Sequence, residues 1–131
     1  MNKVVLITGG ARGIGSAIAL ELAKHGYDIV INYLTSKQPA KELKEKIESQ
    51  YHVHCLTICA DVSDVDQVNI MVSEIEEKMG GVDILINNAA VDLSNLFHLK
   101  NAEEFKRTFD VNVVGAFNCS KRVYKHMLDQ E

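Results

Sequence analysis

Short apolar runs alternate along this chain with longer segments in which apolar residues recur at the spacing of an amphipathic helix. Turn and cap residues separate them: Gly26 follows the first helical segment, Pro39 lies in the first turn of the second, Ser63-Asp64 precedes the third, and Gly80-Gly81 ends it. The pattern predicts a doubly wound parallel α/β sheet of the Rossmann type, whose strand order begins 3-2-1-4, with helices on both faces. The predicted strands cover residues 4–7, 29–32, 53–59 and 82–87, and the first helix covers residues 14–25.

The turn after the first strand has the composition of a phosphate-binding loop. Thr8-Gly9 is followed by three residues and then by Gly13-Ile14-Gly15, where the helical pattern starts. Glycines at such a turn let the backbone approach a pyrophosphate, and the helix N-terminus presents unpaired N–H groups to the anion. An ATPase-type loop is excluded because Ser16-Ala17, and not a Lys-Ser or Lys-Thr pair, follows the last glycine. A glycine-rich turn without a ligand is the alternative.

The sheet order predicts which other segments share a site with this loop. Ligands of doubly wound sheets bind beyond the carboxyl ends of the strands, where the strand order reverses. The segments that meet there are 8–15, 32–37, 60–62 and 87–90. Taken in order, they resemble the cofactor motifs of the short-chain dehydrogenase/reductase family: T-G-x-x-x-G-x-G, an Asp-Val pair and N-N-A-G. The resemblance covers the whole chain and about the first half of a family member.

The resemblance implies a role for each segment. Asp61-Val62 would meet the adenine ring through a carboxylate and a backbone amide, and 87–90 would support the sheet and line the cofactor ribose. Ala90 departs from the family pattern, which has glycine there. In isolation, Asp61 has the alternative of capping a turn, and the asparagines that of satisfying strand-end backbone groups. The predicted cofactor-binding residues are Gly9, Arg12, Gly13, Ile14, Gly15, Tyr33, Lys37, Asp61, Val62, Asn88, Ala89 and Ala90.

Charge near the second strand indicates which dinucleotide binds. An acid about twenty residues past the glycines would accept the ribose 2′-hydroxyl of NAD. Tyr33 occupies that position, and residues 29–41 contain no Asp or Glu. Arg12 and Lys37 instead supply positive charge, which favours the 2′-phosphate of NADP through charge-assisted hydrogen bonds. Solvated surface charges are the alternative reading of the two cations.

Residues 110–117 resemble the segment that carries the catalytic asparagine of the family, which is Asn112 here. The resemblance implies that Asn112 shapes a helix whose carbonyl holds a water, and that this water relays protons toward a catalytic lysine. A serine and a tyrosine act on the substrate carbonyl. In the family all three lie beyond the position of Glu131, so the fragment alone is expected to lack catalysis. Tyr33 and Lys37 have the Tyr-x-x-x-Lys spacing, but at the adenosine end of the predicted groove.

The implied reaction is NADPH-dependent reduction of a carbonyl by hydride transfer. The sequence T-G-G-x-R-G-I-G and the pair Asn32-Tyr33 resemble the reductases of β-ketoacyl groups on acyl-carrier protein, with 91–99 as a candidate lip of the substrate site. A non-catalytic NADP(H)-binding or regulatory module is the alternative, and an epimerase or dehydratase relative is a third hypothesis. A homo-oligomer, a dimer or tetramer at full length, is expected.

Composition limits the classes of partner and the cellular compartment that we expect for this chain. The 131 residues carry a net charge of −4 and are 47% hydrophobic, which is ordinary for one globular domain. Composition thus predicts one domain, and the family resemblance implies that it is a truncated dinucleotide-binding domain over residues 1–131. The charge gives no support for nucleic acid, and no apolar run or leader pattern indicates a membrane or secretion, so the cytoplasm is predicted. Three cysteines suggest reduced thiols, and no metal is expected at His52, His54, Cys55 and Cys59, whose strand positions diverge.

A sheet that ends at the fourth strand would have an unpaired edge there. The helix predicted around 105–127 would then lack part of its cover. We expect the side chains of Phe109, Val113, Phe117 and Val123 to be partly exposed, and the chain to self-associate.

Overall fold

The computed structural model describes residues 2–91 and 96–130. Its strands pair in parallel in the order β3-β2-β1-β4, as the sequence predicts, and helices cover both faces. The strands are β1 (Val4–Ile7), β2 (Asp28–Tyr33), β3 (Cys55–Cys59) and β4 (Ile84–Ile86). The α-helices are α1 (Gly13–Lys24), α2 (Lys37–Gln50), α3 (Val65–Met79), α4 (Ala102–Phe109) and α5 (Gly115–Asp129).

The central strands are apolar throughout because each has a hydrophobic layer on both sides. Leu6 of β1 lies opposite Val30 of β2 and Leu85 of β4. Leu6 packs with residues of α3 and α5 on one face, and its neighbours Val5 and Ile7 pack with residues of α1 and α2 on the other. This alternation along β1 divides the core into two layers.

The helix ends confirm the predicted caps. The Asp64 side chain accepts hydrogen bonds from the backbone N–H groups of Asp66 and Gln67 at the start of α3. Gly80 ends α3 in the left-handed region with a φ of 90°, a conformation that glycine adopts without strain. Pro39 lies in the first turn of α2, where a missing N–H removes no helical hydrogen bond.

Two strands begin later than predicted, and at both starts an aspartate side chain accepts a backbone N–H beside the last interstrand backbone hydrogen bond. β3 begins at Cys55 and not at Val53, and the N–H of His54 donates to the Asp28 carboxylate at 2.9 Å. β4 begins at Ile84, after Asp83, whose carboxylate accepts the N–H of Val4 at 2.8 Å. β4 pairs on one side only within the described residues, as predicted for an edge strand.

The last helical region is longer than predicted and changes its winding once. α4 continues through a π-helical turn over Asp110–Val114 into α5. Phe109, Val113 and Phe117 are half-exposed or more, as predicted, but Val123 is only 2% exposed, so its predicted exposure is wrong. The reason is helical register: Val123 shares a four-residue spacing with the buried residues 111, 115 and 119, which form the face that packs in the core with α3.

No helix in residues 2–91 and 96–130 is both long enough and apolar enough to cross a bilayer.

Candidate functional site

A groove of about 380 Å³ opens at the carboxyl edge of the sheet, where β1 lies between β2 and β4. Residues from all four predicted segments line it, so the structure brings those segments together. The predicted residues that line the groove are Gly9, Arg12, Tyr33, Asp61, Val62, Ala89 and Ala90. The predicted residues outside its lining are Gly13, Ile14, Gly15, Lys37 and Asn88.

The glycine loop needs its glycines for conformation and for close approach. Gly9 has a φ of 60°, in the left-handed region, and a Cβ there would lie 2.9 Å from the Cα of Ala89. Gly15 has an ordinary φ, but its Cβ would lie 2.6 Å from the side-chain nitrogen of Asn88. A side chain at either position would push the loop away from β4. The backbone therefore forms the floor of the groove beside β1.

The start of α1 provides uncapped backbone donors at this loop. Arg12 is the N-cap residue, and its side chain makes no capping hydrogen bond. The first N–H groups of a helix have no partner within the helix, and the macrodipole adds positive potential there. Arg12 itself is exposed and makes no ion pair with any residue in the described part of the chain. The combination suits a phosphate group.

Asn32 stabilises the glycine loop through side-chain hydrogen bonds, although it was not among the predicted binding residues. Its side-chain oxygen accepts from the N–H of Gly9 at 3.2 Å, and its amide nitrogen donates to the carbonyls of Ala60 at 3.1 Å and Ile58 at 3.4 Å. Asn32 is 2% exposed. A polar residue at the end of an otherwise apolar strand was the feature of the sequence that could have indicated this role.

Thr8 and Asn88 join the loop to the end of β4. The Thr8 hydroxyl accepts from the N–H groups of Asn88 at 3.0 Å and Ala89 at 2.9 Å. The Asn88 side chain donates to the carbonyl of Gly9 at 3.0 Å. Asn88 thus contacts the loop and not the groove, which explains its place outside the lining. Its neighbour Asn87 donates to the Ser120 hydroxyl of α5 at 3.1 Å.

Asp61 lies on the groove wall after β3, within a network of donors. Its Oδ1 accepts from the N–H of Ser63 at 3.0 Å and from the Ser63 hydroxyl at 2.7 Å, and Arg107 Nη1 lies 3.2 Å from its Oδ2. Burial acts to raise the pKa of Asp61, but the Ser63 hydrogen bonds and the Arg107 guanidinium outweigh it and lower the pKa below its ordinary value. Arg107 was not predicted, because nothing in the spacing of the sequence links position 107 to position 61. Ser63 was not predicted either, although its position two residues after Asp61 is the spacing of an Asx turn.

Asn112 lies in the π-helical turn and faces the loop after β4. Its side-chain oxygen accepts from the N–H of Val91 at 2.8 Å, and its amide nitrogen donates to the Val91 carbonyl at 3.3 Å. This reciprocal pair holds the chain just after Ala90. Val91 and Val111 line the groove on the same side. The predicted lip at 91–99 includes residues 92–95, which lie outside the described residues.

The cysteines are free thiols, as predicted. Burial, with a smaller effect of Glu48, raises the pKa of the Cys55 thiol to about 12, and burial raises that of Cys119 to about 11. Both stay protonated at neutral pH, which suits packing better than reactivity. Cys59 is exposed and donates to the Leu34 carbonyl at 3.4 Å. In the described ranges no three His, Cys, Asp or Glu residues converge as metal ligands.

A sequence profile for short chain dehydrogenases matches residues 3–131. The chain belongs to this family. It is 40% identical over 130 residues to the 3-oxoacyl-acyl-carrier-protein reductase of Staphylococcus epidermidis, which covers 99% of this chain and 53% of that protein. The chain thus spans about half the length of the curated relatives it matches.

Two solved members of the short-chain dehydrogenase fold contain NADPH. The L-sorbose reductase of Gluconobacter frateurii, complexed with NADPH and L-sorbose, matches with a TM-score of 0.91 and 27% identity, over 98% of this chain and 49% of that one. A blue fluorescent protein from a metagenomic library, in complex with NADPH, matches with a TM-score of 0.88 and 33% identity, over 95% of this chain and 51% of that one.

Ala90 fits this short-chain dehydrogenase backbone without strain. No non-glycine residue in the described part of the chain has a positive φ, and Ala90 is among those described. The glycine of the family motif is therefore not needed for conformation at this position. The remaining effect of Ala90 is one exposed methyl group in the lining of the groove.

Proposed function

We propose that this chain is the cofactor-binding half of an NADP(H)-dependent reductase, which transfers a hydride between the nicotinamide and a substrate carbonyl. The observation that carries the proposal is the groove at the carboxyl edge. Residues of the glycine loop, Arg12 as the N-cap residue of α1, and Asp61 line it. The NADPH-bound relatives of the same fold support it. The alternative is a module that binds NADP(H) without catalysis.

The residues present fit a dinucleotide. The backbone at the start of α1 would bind the pyrophosphate, Asp61 and the N–H of Val62 would bind the adenine, and Ala89 with Ala90 would contact a ribose. The bound nicotinamide supplies the hydride. Asn112 acts here as a positioning residue, because its side chain is bonded to Val91 and not directed at the groove.

The charges in the groove favour NADP over NAD. Among the described residues that line it, Asp61 is the single acid, and Arg107 is paired with it. Tyr33 lies where an NAD-binding protein would have an acid, beside Arg12 in the lining. A 2′-phosphate would meet the guanidinium of Arg12 and no unpaired carboxylate. Lys37 is exposed at the start of α2 and would act at longer range.

Fluorescence titration with NADPH and NADH tests this preference. We expect tighter binding of NADPH, and a reversed preference in Arg12→Asp, because a carboxylate would repel the phosphate dianion. Lys41→Asp is the matched control, since Lys41 lies on α2 outside the groove lining. Equal or tighter binding of NADH by the unchanged chain would contradict the proposal.

The substrate class is proposed from one relative. The Staphylococcus epidermidis protein acts, by its name, on 3-oxoacyl groups of acyl-carrier protein, so a β-ketoacyl carrier substrate is the first to test. The 131 residues alone are expected not to reduce it, because Tyr33 and Lys37 lie on the β2 side of β1, opposite β4. A serine and a Tyr-x-x-x-Lys encoded after position 131 would support the reductase. Their absence would favour the non-catalytic module.

Self-association belongs to the same proposal. Phe105, Phe109 and Phe117 are at least half-exposed on α4 and α5, and β4 is a sheet edge in the described residues. Exposed aromatic rows of this kind mark contact surfaces. A homo-oligomer would cover them.

A further inference from the structure

Arg107 reaches from α4 to the turn that follows β3. Its Nη1 lies 3.2 Å from Asp61 Oδ2 and donates to the Ser63 hydroxyl at 2.9 Å. Ser63 donates in turn to Asp61 Oδ1 from its hydroxyl and from its backbone N–H. Each carboxylate oxygen therefore has a fixed donor, and the plane of the Asp61 carboxylate is set by two separate elements of the fold.

This carboxylate is part of the groove wall and not of the core. The side chains of Asp61 and Arg107 are 21% and 37% exposed, and both line the groove. An ionised carboxylate only accepts hydrogen bonds, and Oδ2 has a second lone pair besides the one used by Arg107. The wall therefore favours a ligand with an N–H donor at this point and disfavours a carbonyl oxygen.

We infer that Arg107 is a positioning residue that determines specificity at the base end of the cofactor. With Ser63 it orients Asp61 so that Oδ2 accepts a hydrogen bond from the exocyclic amino group of a 6-aminopurine and rejects a 6-oxopurine. The inference rests on the proposed binding of a nicotinamide dinucleotide. It assigns Arg107 an effect on which base is bound, in addition to any effect on affinity.

The helix that carries Arg107 is fixed independently of the ion pair. Asn118 donates to the carbonyl of Val62 at 2.9 Å, and a Cβ on Gly115 would lie 2.6 Å from Cγ2 of Val62. α5 therefore packs directly on the turn after β3, with buried contacts on the far side of the π-helical turn. Replacement of Arg107 is expected to leave the long helix in place and to release only the carboxylate.

The test is calorimetric titration with NADP⁺ and with its hypoxanthine analogue, in which an oxo group replaces the 6-amino group. We expect the unchanged chain to prefer NADP⁺ by about tenfold, the effect of one hydrogen bond to a charged group. Arg107→Met should reduce this ratio to less than about threefold, and Arg107→Lys should restore part of it, since lysine keeps the charge but not the planar fork. Asp61→Asn should abolish or invert the ratio.

The pH profile provides a second readout. The preference for NADP⁺ over its hypoxanthine analogue requires an ionised Asp61, and removal of the guanidinium raises the pKa of Asp61. As the pH falls, Arg107→Met should therefore lose this preference at a higher pH than the unchanged chain. A residue that only stabilises the fold would weaken the binding of both ligands and leave their ratio and its pH dependence unchanged. That result would overturn the inference.

Arg122→Met is the matched control. Arg122 lies on α5 and donates to Glu76 Oε1 at 2.7 Å and to the Ser73 hydroxyl at 3.2 Å, the same set of partner types as Arg107, but outside the groove lining. The ratio of the affinities for NADP⁺ and for its hypoxanthine analogue should be the same in Arg122→Met as in the unchanged chain. If the unchanged chain binds neither ligand, the proposed function is wrong. If it binds both equally, only the inference about Arg107 is overturned.

Discussion

Polar side chains tie the strands together at both edges of the sheet, but the two edges present different surfaces. At the carboxyl edge Asn32 and Thr8 bond the glycine loop to β3 and β4. At the amino edge Asp28 accepts from the N–H of His54 and from the Asn2 side chain, and Asp83 accepts from the N–H of Val4 and lies 3.1 Å from His126 Nε2. The side chains that link the strands are therefore neutral at the carboxyl edge, an amide and a hydroxyl, and are carboxylates at the amino edge.

The difference favours anion binding at the smaller of the two hollows. The amino edge has the larger depression, about 620 Å³, lined by Asp28, Glu48, His54 and Lys78 among others. In a parallel βα fold, however, the C-termini of α1 and α3 lie at this edge and their N-termini lie at the other. Helix dipoles and the buried Asp28 carboxylate oppose a phosphate there. Among the described residues, only the carboxyl edge combines backbone donors with a guanidinium.

The largest effect is expected from Gly9→Ala. The added Cβ would meet Ala89 at 2.9 Å in a left-handed conformation, so the loop must move. We expect more than about tenfold weaker NADPH binding and a loss of about 1–2 kcal/mol in stability. Gly26→Ala is the control at the amino edge, with a φ of 89° and nothing near its Cβ. It should lose stability alone, and weaker NADPH binding by this variant would contradict the distinction between the edges.

The second prediction compares one hydrogen-bonding side chain from each edge of the sheet. Asn32→Ala leaves the N–H of Gly9 and the carbonyl of Ala60 without their side-chain partner, and the unpaired buried carbonyl of Ala60 costs about 1–3 kcal/mol. Asp28→Ala should destabilise the chain to a similar extent. Urea unfolding should show a loss in both variants, whereas fluorescence titration should show weaker NADPH binding in Asn32→Ala only. The comparison fails if both variants bind NADPH equally well.

A third prediction concerns the exposed aromatic face of α4 and α5, which belongs to neither edge of the sheet. Phe117→Ser should reduce self-association, measured by sedimentation, because Phe117 is 62% exposed on α5. Ile70→Ser is the control, since Ile70 is similarly exposed but lies on α3. A monomeric unchanged chain at high concentration would contradict the proposed oligomer.

The smallest effect is a pH dependence that belongs to the carboxyl edge. The folded pKa of Asp61 is lowered from its ordinary 3.8, so this residue contributes stability that is present above 3.8 and is lost as the pH falls through the lowered value. Asp61→Asn should be less stable than the unchanged chain at neutral pH, and the difference should shrink in acid. Urea midpoints measured across this range check it. A difference that does not change with pH would exclude Asp61 as the source.

Several site residues could be predicted because the fold is built from local patterns. The apolar runs, Asp64 and Gly80 predicted elements and caps correctly, and parallel topology then placed the ends of all four strands in one groove. Asn88 was predicted to bind the cofactor, whereas in the structure it bonds to the glycine loop and does not line the groove. Val123 was expected to lose part of its cover, but it packs in the core with α3, because a periodicity does not say which neighbour a helix packs against.

The sequence alone determined the βα order, the glycine loop and the presence of Tyr33 in place of an acidic residue. Each of these depends on residues close together in the chain. Only the tertiary structure revealed that Arg107 pairs with Asp61 and that Asn112 bonds to Val91. These contacts join residues 46 and 21 positions apart, and side-chain hydrogen bonds over such separations depend on how the long helix packs on the sheet. Local propensity does not encode that packing, so the orientation of the Asp61 carboxylate emerged only with the fold.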